Sequence, residues 1–212
     1  MHTAKKQYEM DMCSGSILKK MLLFTLPLML SSILQLLFNA ADIVVVGKFA
    51  GDNALAAVGS NTALINLLTN LFVGFSIGAN VTAARHYGAK CEKDLEETVH
   101  TSIAMSFASG LLLMIVGLIG AKQFLIWMQT LYLHIYFIGM IPNMVYNFGS
   151  ALLRSVGDTR RPLYYLTFAG CVNVVLNLLT VIVLHLDVAG VAIATVISET
   201  ISAVLVLRCM CK

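Results

Sequence analysis

Charge is what this sequence has least of. Only 12% of its 212 residues are Asp, Glu, Lys or Arg, about half the share usual in a soluble globular domain. Proline appears three times and tryptophan once. No G-x-x-x-x-G-K-[ST] loop, H-E-x-x-H pair or nucleophile elbow is present, which removes the common signatures of nucleotide, zinc and acyl-transfer chemistry. The five histidines, His2, His86, His100, His134 and His185, lack ligand spacing. Cysteine is odd in number at five, so no disulfide framework follows. The Cys209 and Cys211 pair has no further metal ligands in sequence reach, and no metal is expected.

What is there instead is apolar. Hydrophobic residues make up 58% of the chain, with a mean hydropathy of +0.85. Met21 to Ala41, Ala54 to Ala84 and Ser102 to Ala121 are uncharged throughout, and each reaches the roughly 20 residues that cross a bilayer core. The first apolar stretch, from Ile17, is too long for a signal-peptide core of roughly 7–15 residues. The sequence therefore predicts an all-α, polytopic membrane protein whose first partner is the lipid bilayer. Basic residues are scattered between apolar segments without interleaved aromatics, so no nucleic-acid partner is expected.

Charged and Gly- or Pro-rich breaks divide the chain into six predicted helices, near 17–46, 54–84, 95–121, 131–154, 162–184 and 188–208, after an N-terminal segment 1–16. The loops alternate sharply in charge. One side carries Lys5, Lys6, Lys19, Lys20, Arg85, Lys90, Lys93, Arg154, Arg160, Arg161, Arg208 and Lys212, and the other only Lys48 and Lys122, twelve against two. Cytoplasmic loops hold the excess of Lys and Arg, which predicts that both termini are cytoplasmic.

Within lipid the polar residues are the informative ones, because each must find a partner. Ser31, Gln35, Asn39 and Asp42 recur at spacings of four, four and three, one face of an α-helix. Asn66 and Asn70, Asn143 and Asn147, Asn173 and Asn177, and Thr195 and Glu199 follow the same four-residue spacing on the second, fourth, fifth and sixth helices. Helices closing around these stripes would enclose a hydrated cavity lined by Gln35, Asn39, Asn66, Asn70 and Asn147. The third helix offers Ser102, Ser106, Ser109, Gly110, Gly117 and Gly120, suited to close packing. Asp42 and Glu199 are ionisable groups inside apolar helices, which makes each a functional candidate. Pro27, some four turns before Asp42, removes a backbone hydrogen bond and permits a bend.

Several stretches together resemble the multidrug and toxic compound extrusion family of antiporters, in its bacterial branch. They are LPLMLSSILQLLFNAADIVVVGKFAGDNALAAVGS from Leu26, ARHYGA from Ala84, YNFGSALLRSVGDTRRP from Tyr146 and VAGVAIATVIS from Val188. The resemblance implies a twelve-helix transporter of two six-helix lobes in the bacterial plasma membrane. Such a protein exports organic cations and other small-molecule drugs in exchange for protons or sodium, without a cofactor and without enzymatic chemistry. It implies a cation-coupling site of Asp42, Asn173, Asn177 and Thr195, and a bending role for Pro27. Asn177 stands where some relatives carry an acid, which favours protonation of Asp42 over sodium binding. Glu199 stands where many carry a neutral amide, which makes it a candidate second proton site. About a dozen residues usual in the family are missing between Met128 and Leu131.

The resemblance covers one lobe, and the sequence stops at Lys212 after the sixth predicted helix. Rocking transport needs two bundles around one site, so this half is expected to bind a cation without transporting it unless another chain supplies the second lobe. A gene fragment or truncation is the favoured expectation over a working homodimer. Two alternatives remain at this stage: a lipid-linked oligosaccharide flippase of the same superfamily, and a non-transporting membrane fragment or assembly partner. A flippase cavity would need cationic lining for pyrophosphate, and no predicted helix interior carries Lys or Arg.

Overall fold

The computed structural model describes residue 10 and residues 15–49, 52–124 and 130–211. Among them the chain is helical, with α1 at Ile17–Phe49, α2 at Asp52–Gly88, α3 at Glu92–Phe124, α4 at Thr130–Ile138, α5 at Met140–Ser155, α6 at Arg160–Leu178 and α7 at Asp187–Met210. A π-helical turn, Leu179–Val183, extends α6. Four segments within these helices, Ile17–Phe49, Glu92–Ile119, Arg160–Val183 and Val188–Met210, are long and apolar enough to cross a membrane. The outward surface matches that use, with Leu22, Leu26, Leu36, Phe75, Leu112, Phe168 and Val175 exposed.

Two details depart from the predicted segments. The helix expected over 131–154 is broken at Gly139 into α4 and α5. Pro142 has no N–H to give the Ile138 carbonyl, so the regular ladder lapses there. The helix expected over 162–184 ends in the π turn, where the Leu184 N–H reaches the Leu179 carbonyl at 3.1 Å. The residues missing near Met128 fall outside the described residues.

Small residues let the helices meet. In α3, Ser102, Ser106, Ser109, Gly110 and Gly117 are all buried. A Cβ at Gly110 would stand 2.7 Å from the Ile141 backbone, and one at Gly117 would overlap the Phe137 ring. These contacts dock α3 against α4 and α5. Val45, Val46, Leu113, Phe137, Met140, Met144, Val181 and Val188 form one apolar core cluster, and a second gathers Val145, Tyr146, Leu153, Ala203 and Val206.

At one end of the bundle the loops interlock. Gly157 turns the chain from α5 to α6 with φ +85°, and a Cβ there would stand 2.6 Å from the Met10 carbonyl oxygen. Asp158 is buried; its Oδ1 accepts the Arg161 N–H at 3.1 Å and its Oδ2 lies 3.2 Å from Arg161 Nε. That carboxylate satisfies an open donor at the start of α6. Tyr87, Leu95, Asp158, Arg161, Cys209 and Met210 line one pocket, so the ends of α2, α5 and α7 and the starts of α3 and α6 lie together.

Candidate functional site

Three helices, α1, α6 and α7, carry one run of hydrogen bonds toward a carboxylate. Asn177 Nδ2 donates to Asp42 Oδ1, joining α6 to α1. The same Nδ2 lies 3.1 Å from Asn173 Oδ1, one turn earlier on α6. Asn173 Nδ2 donates to Thr195 Oγ1 on α7 at 3.4 Å, and the Thr195 hydroxyl donates to the Val191 carbonyl at 2.9 Å. Asn173 and Asn177 are buried, and Asn177 Oδ1 is a buried acceptor with no partner among the described residues. The four residues singled out as a cation-coupling set thus sit in one connected group.

Local packing brings α1 to α6 at this point. Gly170, two turns before Asn177, leaves room for Phe38, one turn before Asp42; a Cβ at Gly170 would overlap the Phe38 ring. Gly190 on α7 lies against Thr180, where a Cβ would stand 2.9 Å from Oγ1. Thr180 Oγ1 in turn donates to the Leu176 carbonyl at 2.9 Å. The π turn starts two residues beyond Asn177, the Asp42 partner, in the kind of place where such insertions recur at functional sites.

Glu199 belongs to a different group. Its Oε1 accepts Asn143 Nδ2 from α5 at 2.6 Å, and Asn147 Nδ2 lies 2.7 Å from Asn143 Oδ1 and 2.9 Å from the Asn143 carbonyl. Gly139, at the break between α4 and α5, makes room for α7: a Cβ there would stand 2.7 Å from Val196 and 3.3 Å from Glu199 Oε2.

Both groups border one cavity of about 340 Å³. Gln35, Asn39, Asn66, Asn70 and Asn147, the residues expected to line a cavity, are all on its wall, with Asp42, Asn173, Thr195 and Glu199. Asn177 stands outside the wall, as does Pro27, which is buried within α1 with its carbonyl accepting the Ser31 hydroxyl at 2.9 Å. Thr69, Tyr136 and Tyr146, which sequence reasoning left unassigned, line the cavity too, as does Asn143, which the sequence pattern had placed on a polar face with Asn147. For Asn143 the signal was the four-residue spacing to Asn147; for the tyrosines there was none. Among the described residues the wall holds two carboxylates and no Lys, Arg or His. A low-dielectric cleft lined by one sign of charge attracts the other.

Comparison with known proteins places this architecture. A family model described as MatE matches residues 27–179. The probable multidrug resistance protein YpnP of Bacillus subtilis (strain 168) is 28% identical over 91% of this chain and 45% of its own length. The probable multidrug resistance protein YoeA of the same organism is 33% identical, over 91% and 44%. The FAD transporter of Shewanella oneidensis is 24% identical, over 87% and 44%. The chain thus spans a little under half the length of the curated relatives it matches. Two solved structures share its fold at 23% identity. MATE in the bent conformation has a TM-score of 0.83, covering 92% of this chain and 45% of that one. The outward-facing conformation of a multidrug resistance MATE family transporter has a TM-score of 0.84, covering 91% and 44%. With the match running from Pro27 through the Asp42, Asn173 and Asn177 group to Leu179, and the fold that of one lobe of these transporters, the chain belongs to the MatE family of membrane transporters.

Proposed function

We propose that this lobe is half of a secondary multidrug exporter of the bacterial plasma membrane, exchanging organic cations for protons, with Asp42 as the coupling group. The observation that carries the reading is the cavity wall, which among the described residues has two carboxylates and no cationic side chain. Multidrug transporters among the relatives support it. The same wall disfavours a flippase for lipid-linked pyrophosphate, which would need cationic lining.

Asp42 couples because only one of its two states carries charge. Ionised, it draws a cation toward the Asn177, Asn173 and Thr195 group; on taking a proton it becomes neutral and that attraction ends. A single carboxylate with neutral amide and hydroxyl partners suits a proton better than sodium. Pro27 withholds the N–H that the Leu23 carbonyl would otherwise accept, giving α1 a place to bend as Asp42 changes state. Alternating access then requires a second bundle around the same cavity, supplied by a further segment or another chain.

The test is efflux in a two-lobe form containing this sequence. Asp42→Asn should abolish proton-driven efflux of a fluorescent organic cation while membrane insertion stays normal. Wild-type efflux rates in that variant would move the coupling role elsewhere.

A further inference from the structure

The polar face of α5 runs on past the cavity. Asn143, Asn147, Ser150 and Arg154 follow at spacings of four, three and four, one face of an α-helix. Asn143 and Asn147 stand on the cavity wall, whereas Ser150 and Arg154, in the last two turns of α5, do not. Leu153 and Ser155, on either side of Arg154, line the pocket at the end of the bundle where the loops interlock. The face therefore leaves the cavity and finishes at that end on a cation.

This cation has no counter-charge among the described residues. Arg154 makes no ion pair and no hydrogen bond there, and its Nε is buried. The nearest acid along the chain, Asp158, is committed to Arg161, lying 3.2 Å from Nε of that residue. Side chains of a helix lean toward its N-terminus, which carries the Arg154 guanidinium back over the turn of Ser150, within electrostatic reach of Tyr146.

Ser150 is the second unanswered group. It has no exposed surface, and its Oγ is without a hydrogen-bond partner. Every other buried serine among the described residues, Ser76, Ser102, Ser106, Ser109, Ser198 and Ser202, donates to a carbonyl one turn back. Ser150 does not. It approaches the Tyr146 hydroxyl without completing a bond to it, and that hydroxyl donates to the Pro162 carbonyl at 3.3 Å.

Buried polar groups are nearly always paired, and an exception points to a water or an ion. Water would answer both donors but not the charge, and a cation drawn out of water is costly until an opposite charge joins it. The Nε–H and the hydroxyl can both donate to one acceptor. Because neither atom has exposed surface, a lipid phosphate is too bulky to meet both, and a monatomic anion is not. We infer that Arg154 and Ser150 form a binding site for a small monovalent anion of the halide class. Arg154 supplies the charge and one donor, and Ser150 supplies the second. The site does not depend on the exporter reading, although under that reading it has a use: it cancels a positive charge that cargo cations would meet at this end of the bundle.

Thermal unfolding of the 212-residue chain in detergent micelles tests this, with sodium chloride exchanged for sodium gluconate at constant ionic strength so that screening stays equal. An anion that binds the folded chain raises the unfolding midpoint as its concentration passes its Kd, so the wild-type midpoint should climb with chloride. Ser150→Ala, which removes one donor, should weaken the chloride affinity fitted from those midpoints by about three- to tenfold. Arg154→Gln should abolish the dependence.

Equal wild-type midpoints in chloride and gluconate overturn the inference, since water alone then answers the two donors. An unchanged chloride response in Arg154→Gln overturns it as well, because the anion then binds elsewhere. If Arg154→Gln does not fold, Ser150→Ala decides, and an unchanged affinity in that variant overturns it. Efflux by Asp42→Asn bears only on the exporter reading, so the two fail separately.

Discussion

At the residue scale the site depends on how few charges it holds. Asp42 meets one amide, Asn177, and through it a second amide, Asn173, and the Thr195 hydroxyl, and among the described residues Asn177 Oδ1 is left without a partner. Replacing Asn177 by Asp would put a second carboxylate directly against Asp42. Two buried like charges need a shared cation or proton between them. Asn177→Asp in the chain should therefore gain thermal stability when sodium replaces choline at alkaline pH, whereas the wild-type chain should gain none. Equal unfolding midpoints in the two salts would show that the amide-to-acid change does not create a sodium site. The polar residues themselves were legible in the sequence, because an Asp or Asn in a long apolar run is conspicuous. Their partners were not. Asp42 and Asn177 are 135 residues apart and Asn143 and Glu199 are 56 apart, and spacing along one helix says nothing about which residue on another helix it meets. The family resemblance supplied the first pairing as an implication, and nothing supplied the second.

At the scale of elements, glycines decide how close the helices come. The contact of Phe38 with Gly170 seats α1 on α6 one turn from Asp42. Gly170→Val would drive a branched side chain into that ring, at the roughly 1–3 kcal/mol cost of overpacking. It should also part Asp42 from Asn177. The expected result is a lower unfolding midpoint, with much of the loss recovered in the Phe38→Ala, Gly170→Val double variant, since the two changes share one contact. Additive losses would show that the seat is not where the strain falls. Helical periodicity had marked the polar face of α1 and the small face of α3, and both occupy the expected surfaces: Gln35, Asn39 and Asp42 line the cavity, and Ser102, Ser106 and Ser109 are buried. The break at Gly139 and the π turn at Leu179–Val183 escaped notice. An apolar run reads the same whether its ladder is regular or shifted by one residue, and Pro142 alone did not say on which side the helix would yield.

At the scale of the whole molecule, charge asymmetry and packing point the same way. The twelve Lys and Arg on one side of the predicted topology include Arg85, Arg161 and Arg208. Neighbours of these residues, Tyr87 near the end of α2 and Met210 at the end of α7, line a single pocket with Arg161 itself and the buried Asp158. The basic loops of α2, α5 and α7 therefore share one end of the bundle, and the excess of positive charge predicts that this end is the cytoplasmic one. Two exposed thiols report on it: Cys91, between α2 and α3, and Cys211, just beyond α7. Variants retaining only Cys91 or only Cys211 should react with a membrane-impermeant maleimide in inverted vesicles and stay unlabelled in intact spheroplasts. The two sites must agree, because an even number of spans separates them if α4 and α5 together cross once. Labelling of both from outside would invert the lobe, and labelling of one from each side would mean that the broken α4 and α5 pair does not traverse the bilayer as a unit.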